Sequence, residues 1–119
     1  MYNPFFKANF YQTRTIAQNI KEDPKYRLEI NKCIERFISK DWGDLTDDDI
    51  KSNNEAIIYN DRILASYKTS KGKIYIIADA TDKNYYETVT VLFANEYWGV
   101  FIMENTKIAK KLVNIMIEC

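Results

Sequence analysis

Residues 62–80, RILASYKTSKGKIYIIADA, decide the fold of this chain. Two runs rich in β-branched and aromatic residues, 62–69 and 73–80, flank Ser70-Lys71-Gly72, a short turn in which glycine suits a positive φ angle. The stretch therefore predicts a β-hairpin. Residues 74–77 are apolar without interruption, which is typical of a central strand that is covered on both faces.

The sequence after this hairpin predicts a third strand at residues 87–93, ETVTVLF. The simplest order for the three strands is an antiparallel meander. Beyond it, residues 94–105 predict a turn and a short strand, and Asn105 is a candidate cap for a last helix. Residues 98–119 are therefore interpreted as a carboxyl-terminal extension made of a turn or strand and a helix.

Before residue 61, apolar residues recur at spacings of three and four, which predicts helices. The first helix is expected at residues 13–22. The second is expected from Pro24 to about Ser39, capped by Asp23. The third is expected at residues 47–59, where Thr46 followed three residues later by an aspartate resembles a capping box.

These elements predict an α+β fold in a single domain of residues 1–119. It consists of a three- to four-stranded antiparallel meander with two or three amino-terminal helices and one carboxyl-terminal helix packed against it. A chain of this length buries about two thirds of the surface that its unfolded form exposes, so one core is sufficient.

Composition limits the possible functions. Seventeen basic and seventeen acidic residues cancel, which removes the net positive charge expected of a general nucleic-acid binder or a binder of anionic membranes. No segment approaches the roughly 20 apolar residues of a membrane span. The amino terminus does not resemble a secretion signal, and Cys33 and Cys119 are far apart, so a cytoplasmic protein with reduced thiols is predicted.

Several catalytic chemistries lack their residues. The chain has no histidine, which removes Ser-His and Cys-His nucleophile pairs and most zinc sites. Its three glycines lie far apart, so no phosphate-binding glycine loop is formed. The prediction is a protein that is not an enzyme, with no catalytic residue, no metal ligands and no cofactor.

Charge is nevertheless concentrated in one segment, residues 41–55, which we call the acidic segment. It holds six acids and one base, so its formal charge is 1 − 6 = −5, and the rest of the chain carries +5. The acids are Asp41, Asp44, Asp47, Asp48, Asp49 and Glu55.

Two interpretations of this segment stay open. Aspartates in a first helical turn stabilise the helix by about 0.3–1 kcal/mol each, because they face the positive end of its dipole. Alternatively, the acids form a binding surface for a basic protein, with Trp42 between them as an apolar anchor.

Three further residues of this region are predicted to be structural. Gly43 suits a loop conformation that other residues resist. On the third helix the apolar stripe of Ile50, Ile57 and Ile58 is interrupted by Asn53 or Asn54. A buried asparagine needs partners, so we expect these two to tie the loop at residues 41–44 to the sheet by hydrogen bonds.

Most of residues 10–97 resembles a family of small bacterial proteins carried on plasmids, integrative elements and phages. That family is similar in a D-W-G-D-L motif followed by acids and an asparagine, and in a T-V-L-F-P-x-E-Y motif, where this chain has Ala94 in place of the proline. The matching stretches are YQTRTIA (11–17), DWGDLTDDDIKSNNEAI (41–57), RILASY (62–67), KIYII (73–77) and TVLFANEY (90–97). The resemblance implies a genetic context and no activity.

Together these observations predict an interaction module of a mobile element or phage. Its expected partner is a host protein, such as a nucleic-acid-binding defence nuclease that an anti-CRISPR or anti-restriction inhibitor would block. No direct contact with nucleic acid or membrane is expected, and the chain is a monomer or a homodimer. Two alternatives remain: a small metal-dependent enzyme or accessory subunit that uses carboxylates of the acidic segment, and a structural homodimer.

Overall fold

The computed structural model describes residues 3–80 and 84–97. Its elements confirm the α+β class. In chain order they are β1 (Asn9–Gln12), α1 (Arg14–Glu22), α2 (Pro24–Ile38), α3 (Asp47–Tyr59), β2 (Ile63–Thr69), β3 (Gly72–Ala80), β4 (Tyr86–Phe93) and a 3-10 turn (Ala94–Glu96). The extension predicted at residues 98–119, with its helix, lies outside the described residues.

The four strands form one mixed sheet in the order β1-β4-β3-β2. The antiparallel meander of β2, β3 and β4 is confirmed. The expectation of a purely antiparallel sheet is wrong, because β1 pairs in parallel with β4, from Asn9 opposite Thr88 to Gln12 opposite Val91. β1 has only four residues and its burial does not alternate, so it carries no period-two pattern by which the sequence could reveal it.

The hairpin between β2 and β3 has the predicted turn. Thr69 pairs with Gly72, which leaves Ser70 and Lys71 as the two loop residues, and Gly72 has a φ of +121°. The turn predicted after β4 is present as a 3-10 turn at residues 94–96, and residues 98–105, where a short strand is predicted to follow, lie outside the described residues.

The three predicted helices are confirmed, with the predicted caps at Asp23 and Thr46 and a further cap at Thr13. The hydroxyl of Thr13 accepts a hydrogen bond from the Ile16 amide over 3.3 Å, and that of Thr46 accepts one from the Asp49 amide over 3.2 Å. Asp23 accepts from the Lys25 amide at the start of α2. Local cap chemistry thus fixes where each helix begins.

The main core lies between the helices and one face of the sheet. Alternate residues of β3, including Ile74 and Ile76, point into it, and α2 contributes Tyr26, Ile30, Cys33 and Phe37. On the opposite face, Ile77 and Leu92 are buried in a second, smaller cluster. β3 is therefore covered on both faces, as its apolar sequence predicts. Cys33 of α2 is buried in this core and has a free thiol.

The second cluster is rich in aromatic residues. Its half-buried members are Tyr11, Leu64, Tyr75 and Tyr97.

Within the described ranges 3–80 and 84–97, no helix is long and apolar enough to cross a membrane.

Candidate partner-binding surface

The loop that opens the acidic segment begins where α2 ends. Lys40 adopts a left-handed conformation with a φ of +65°, and the Asp41 amide donates a hydrogen bond to the Arg36 carbonyl oxygen over 2.9 Å. This arrangement satisfies carbonyl groups at the end of α2 and turns the chain back toward the sheet.

Asp41 is held by a network of its neighbours. Its carboxylate accepts from Arg36, with Nε at 2.7 Å from Oδ2 and Nη2 at 3.2 Å from Oδ1, and from the Gly43 amide. Tyr67 donates its hydroxyl to the Asp41 carbonyl oxygen over 2.8 Å. The hydrogen bonds from Arg36 lower the pKa of Asp41 below its ordinary value, which means that the network favours the charged carboxylate. Asp41 therefore stabilises the loop through these hydrogen bonds, although its side chain remains exposed.

Trp42 lies in the core, with 2% of its surface exposed. Its ring packs edge-on against Phe37, with the centroids 5.3 Å apart, and its Nε1 donates to Oδ1 of Asn54 over 2.9 Å. The expectation that Trp42 offers an apolar anchor to a partner is thus not met. Its indole ring is buried where it packs at the junction between α2 and α3.

Gly43 brings the loop against the free edge of β2. It forms a β-bridge with Ser66. The Ser66 amide donates a hydrogen bond to the Trp42 carbonyl oxygen, and the Asp44 amide donates one to the Ser66 carbonyl oxygen. Gly43 has a φ of +79°, and a Cβ at this position would lie 2.0 Å from the Ser66 carbonyl oxygen. No other residue fits here, as the sequence predicted.

The two asparagines of α3 are both structural, as expected. Asn53 is 6% exposed, and its side chain donates to the Leu64 carbonyl over 2.9 Å and accepts from the Leu64 amide over 3.4 Å. Asn54 accepts from Trp42. Asn54 joins the loop to α3 and Asn53 joins α3 to β2, so the predicted tie between the loop and the sheet runs in two steps through α3 and not through one direct bond.

The remaining acids of the segment stay at the surface. Lys68 lies 3.5 Å from the Asp44 carboxylate in an exposed ion pair. Among the described residues, no ion pair neutralises the acids of α3, and no group of three potential ligands could hold a metal ion. The exposed acids are Asp44, Asp47, Asp48, Asp49 and Glu55.

The exposure of Ile58 on α3 differs from the sequence prediction. Ile58, which was assigned to the buried stripe, is 75% exposed, and its neighbour Tyr59 is 73% exposed. The face that packs on the sheet contains Asn53 and Ala56. At about 100° per residue, Ile58 lies about 140° around the helix from Asn53. Once Asn53 is placed in the core, helical geometry therefore predicts that Ile58 is exposed.

Comparison of the chain with protein-family models, with curated proteins and with solved structures finds no match. The resemblance to proteins of mobile elements therefore stays a prediction.

Proposed function

We propose that this protein is a small non-enzymatic interaction module of a bacterial mobile element or phage. It binds a basic host protein through the exposed carboxylates of the acidic segment. The host protein is one that binds nucleic acid, such as a defence nuclease, and the module inhibits it by occupying the surface that nucleic-acid phosphates would contact.

The observation that carries the proposal is the exposure of five carboxylates on a segment with a fixed backbone. Asp44, the three aspartates at residues 47–49 and Glu55 all face solvent. Beneath them, Gly43 and Asn53 join the segment to β2 by backbone and side-chain hydrogen bonds. Because the backbone that carries these carboxylates is already ordered, binding loses little backbone conformational entropy.

The spacing of these charges suits a phosphate-binding surface. Along its helix axis, double-stranded DNA presents a phosphate of each strand about every 3.4 Å. Residues 47–49 lie within one turn of α3, and Glu55 lies about 10 Å further along the helix axis than Asp48, at about 1.5 Å per residue. A groove lined with lysine and arginine could therefore meet several carboxylates at once.

The test is affinity capture from a host lysate with two charge-reversal variants. In the first, Asp47, Asp48 and Asp49 are each replaced by lysine. In the matched control, three exposed acids outside the segment receive the same replacement: Glu22, Glu35 and Asp61. Both variants change the net charge by the same amount, so only the position of the charge differs.

We expect the wild type and the control to retain the same nucleic-acid-binding protein, and the first variant to lose it. Short duplex DNA should elute that protein from the wild type, and the purified module should inhibit its activity on nucleic acid. Circular dichroism checks that each variant is folded. Retention by the folded residue 47–49 variant, or elution by salt but not by DNA at the same ionic strength, would contradict the proposal.

A further inference from the structure

The outward face of α3 combines charge with exposed apolar side chains. Residues 48, 52, 55 and 59 recur at spacings of four and three, so they form one stripe along the helix, and Ile58 lies beside it. All five positions are exposed. Three of the acids of α3, at residues 47–49, occupy its first turn, Glu55 lies in its second half, and the apolar pair of Ile58 and Tyr59 occupies its last turn.

We infer that this face of α3 docks as a helix into a basic groove of a protein partner, with Ile58 and Tyr59 as its apolar anchors. The inference rests on the proposed function and deepens it, because it replaces the buried Trp42 with two residues that a partner can reach. Helix-in-groove recognition uses contacts at spacings of three, four and seven residues, and here Ile58 and Tyr59 follow Glu55 by three and four residues.

The charge of the face selects a basic partner. The exposed acids of α3 are Asp47, Asp48, Asp49 and Glu55, against the single base Lys51, so the helix carries 1 − 4 = −3. The last turn of α3 contains no basic residue, so the negative end of the helix dipole is not compensated there. The exposed charge of α3 is therefore mainly negative, with Lys51 as its one base.

The apolar pair itself requires an explanation, since a surface helix normally turns its large apolar residues inward. Both side chains are adjacent and about three quarters exposed, and Tyr59 belongs to the residue types that are enriched among the strongest contributors to binding. A partner that supplied lysines and arginines without an apolar pocket would leave these two side chains in water. The complementary surface thus has a basic rim and an apolar floor.

Two synthetic peptides test this inference with the intact protein. The first is an amphipathic helix of lysine and leucine about 14 residues long, which spans about four turns. The second has alanine in place of every leucine and keeps the same charge and helical tendency. Binding of each peptide is measured by calorimetry, and amide shifts in two-dimensional NMR spectra locate the contact.

Three variants separate the possible contributions. Ile58→Ala with Tyr59→Ala removes the anchors without disturbing the helix. Leu28→Ala is the matched control, because Leu28 is 69% exposed on a different helix, α2. Replacement of Asp47, Asp48 and Asp49 by asparagine removes the charge on which the proposed function depends.

We expect the wild type to bind the leucine peptide at least about tenfold more tightly than the alanine peptide, with shifts centred on Glu55, Ile58 and Tyr59. The double alanine variant should lose this preference, and Leu28→Ala should keep it. The asparagine variant should bind both peptides more weakly while still preferring the leucine peptide.

The outcomes separate the two ideas. An undiminished preference in the double alanine variant, or no measurable binding of the leucine peptide to the wild type, overturns the inference. A wild-type dimer in sedimentation that becomes monomeric only in the double alanine variant also overturns it, because a second copy then covers the face. Unchanged binding by the asparagine variant contradicts the proposed function and the basic character of the groove, whereas the role of the apolar anchors is decided by the double alanine variant.

Discussion

At Gly43 the loop lies so close to β2 that the space for a side chain is already occupied by the Ser66 carbonyl and the Tyr67 ring. Gly72 also has a positive φ, but nothing lies within 4 Å of the position where its Cβ would be. These two residues therefore use different properties of glycine. Gly43 is required for close approach, and Gly72 only for its backbone angle.

Replacing Gly43 by alanine should lower the free energy of unfolding by about 3 kcal/mol, through backbone strain and the loss of hydrogen bonds at the edge of β2. Gly72→Ala should cost only about 1 kcal/mol, because it has conformational strain without a clash. Urea unfolding of both variants measures the difference. Equal losses would show that the loop at residues 42–44 can move away from β2 at no cost.

Asp41 gives the stability of the protein an acid-dependent component. Its folded-state pKa lies below the ordinary value of 3.8, mainly because Arg36 donates hydrogen bonds to the carboxylate. The stabilisation is therefore fully present above pH 3.8 and is lost as the pH falls through the lower, folded-state pKa.

We expect Asp41→Asn to be less stable than the wild type at neutral pH by at most about 1 kcal/mol, since the pair with Arg36 is exposed to solvent. Below the folded-state pKa the two proteins should have the same stability. Urea midpoints measured from neutral to strongly acidic pH provide the comparison. A constant difference at every pH would mean that the asparagine disturbs the loop for reasons unrelated to charge.

At the scale of the elements, the helices were predictable and one strand was not. Thr13, Asp23 and Thr46 each cap a helix through bonds to amides two or three residues away, so the information is local in the sequence. β1 is defined by its pairing with β4, about eighty residues later in the chain, and its four residues have no periodic pattern of their own. Sequence spacing cannot report a partner that distant.

The candidate surface was predicted in part for the same reason. The asparagine links and the glycine loop follow from local rules about buried amides and positive φ angles. The burial of Trp42 and the exposure of Ile58 depend on which side of α3 meets β2, which only the packed structure decides. The charges were identified correctly as a group, but the apolar residues beside them were not.

The attachment of α3 to β2 should depend strongly on Asn53 and less on Asn54. Asn53→Ala leaves the amide and carbonyl of Leu64 without their side-chain partner, which we expect to lower the free energy of unfolding by about 2 kcal/mol. Asn54→Ala removes the partner of the Trp42 indole at the edge of the core and should cost about 1 kcal/mol. Thermal and urea unfolding measure both losses, and the reverse order would refute the assignment of Asn53 as the main link.

For the whole molecule, a net charge of zero conceals a strong separation of charge. The acidic segment carries −5 and the remaining residues carry +5. Because the acids are exposed on one loop and helix, the field near α3 is negative although the protein as a whole is neutral. Such a field accelerates encounters with basic partners and is screened by salt.

Binding of the lysine and leucine peptide should therefore weaken by about tenfold as salt rises from about 0.01 M to 0.1 M, over which the Debye length falls from about 30 Å to about 10 Å. The variant with asparagine at residues 47–49 should show a much shallower dependence. Calorimetry at several salt concentrations measures both slopes. Parallel slopes would indicate that the carboxylates of α3 do not contribute to the encounter.

The bridge between Gly43 and Ser66 has a consequence for how freely this surface can change. Backbone groups, the indole of Trp42 and the amides of two asparagines hold the segment in place, whereas Asp47, Asp48, Asp49 and Glu55 contribute no ion pair to the described structure. Exchange of these side chains should therefore affect folding mainly through the helix dipole, by about 0.3–1 kcal/mol for each aspartate of the first turn. The hydrogen-bonded backbone fixes the conformation of the segment. Selection or design can therefore alter its binding specificity by changing one exposed side chain at a time.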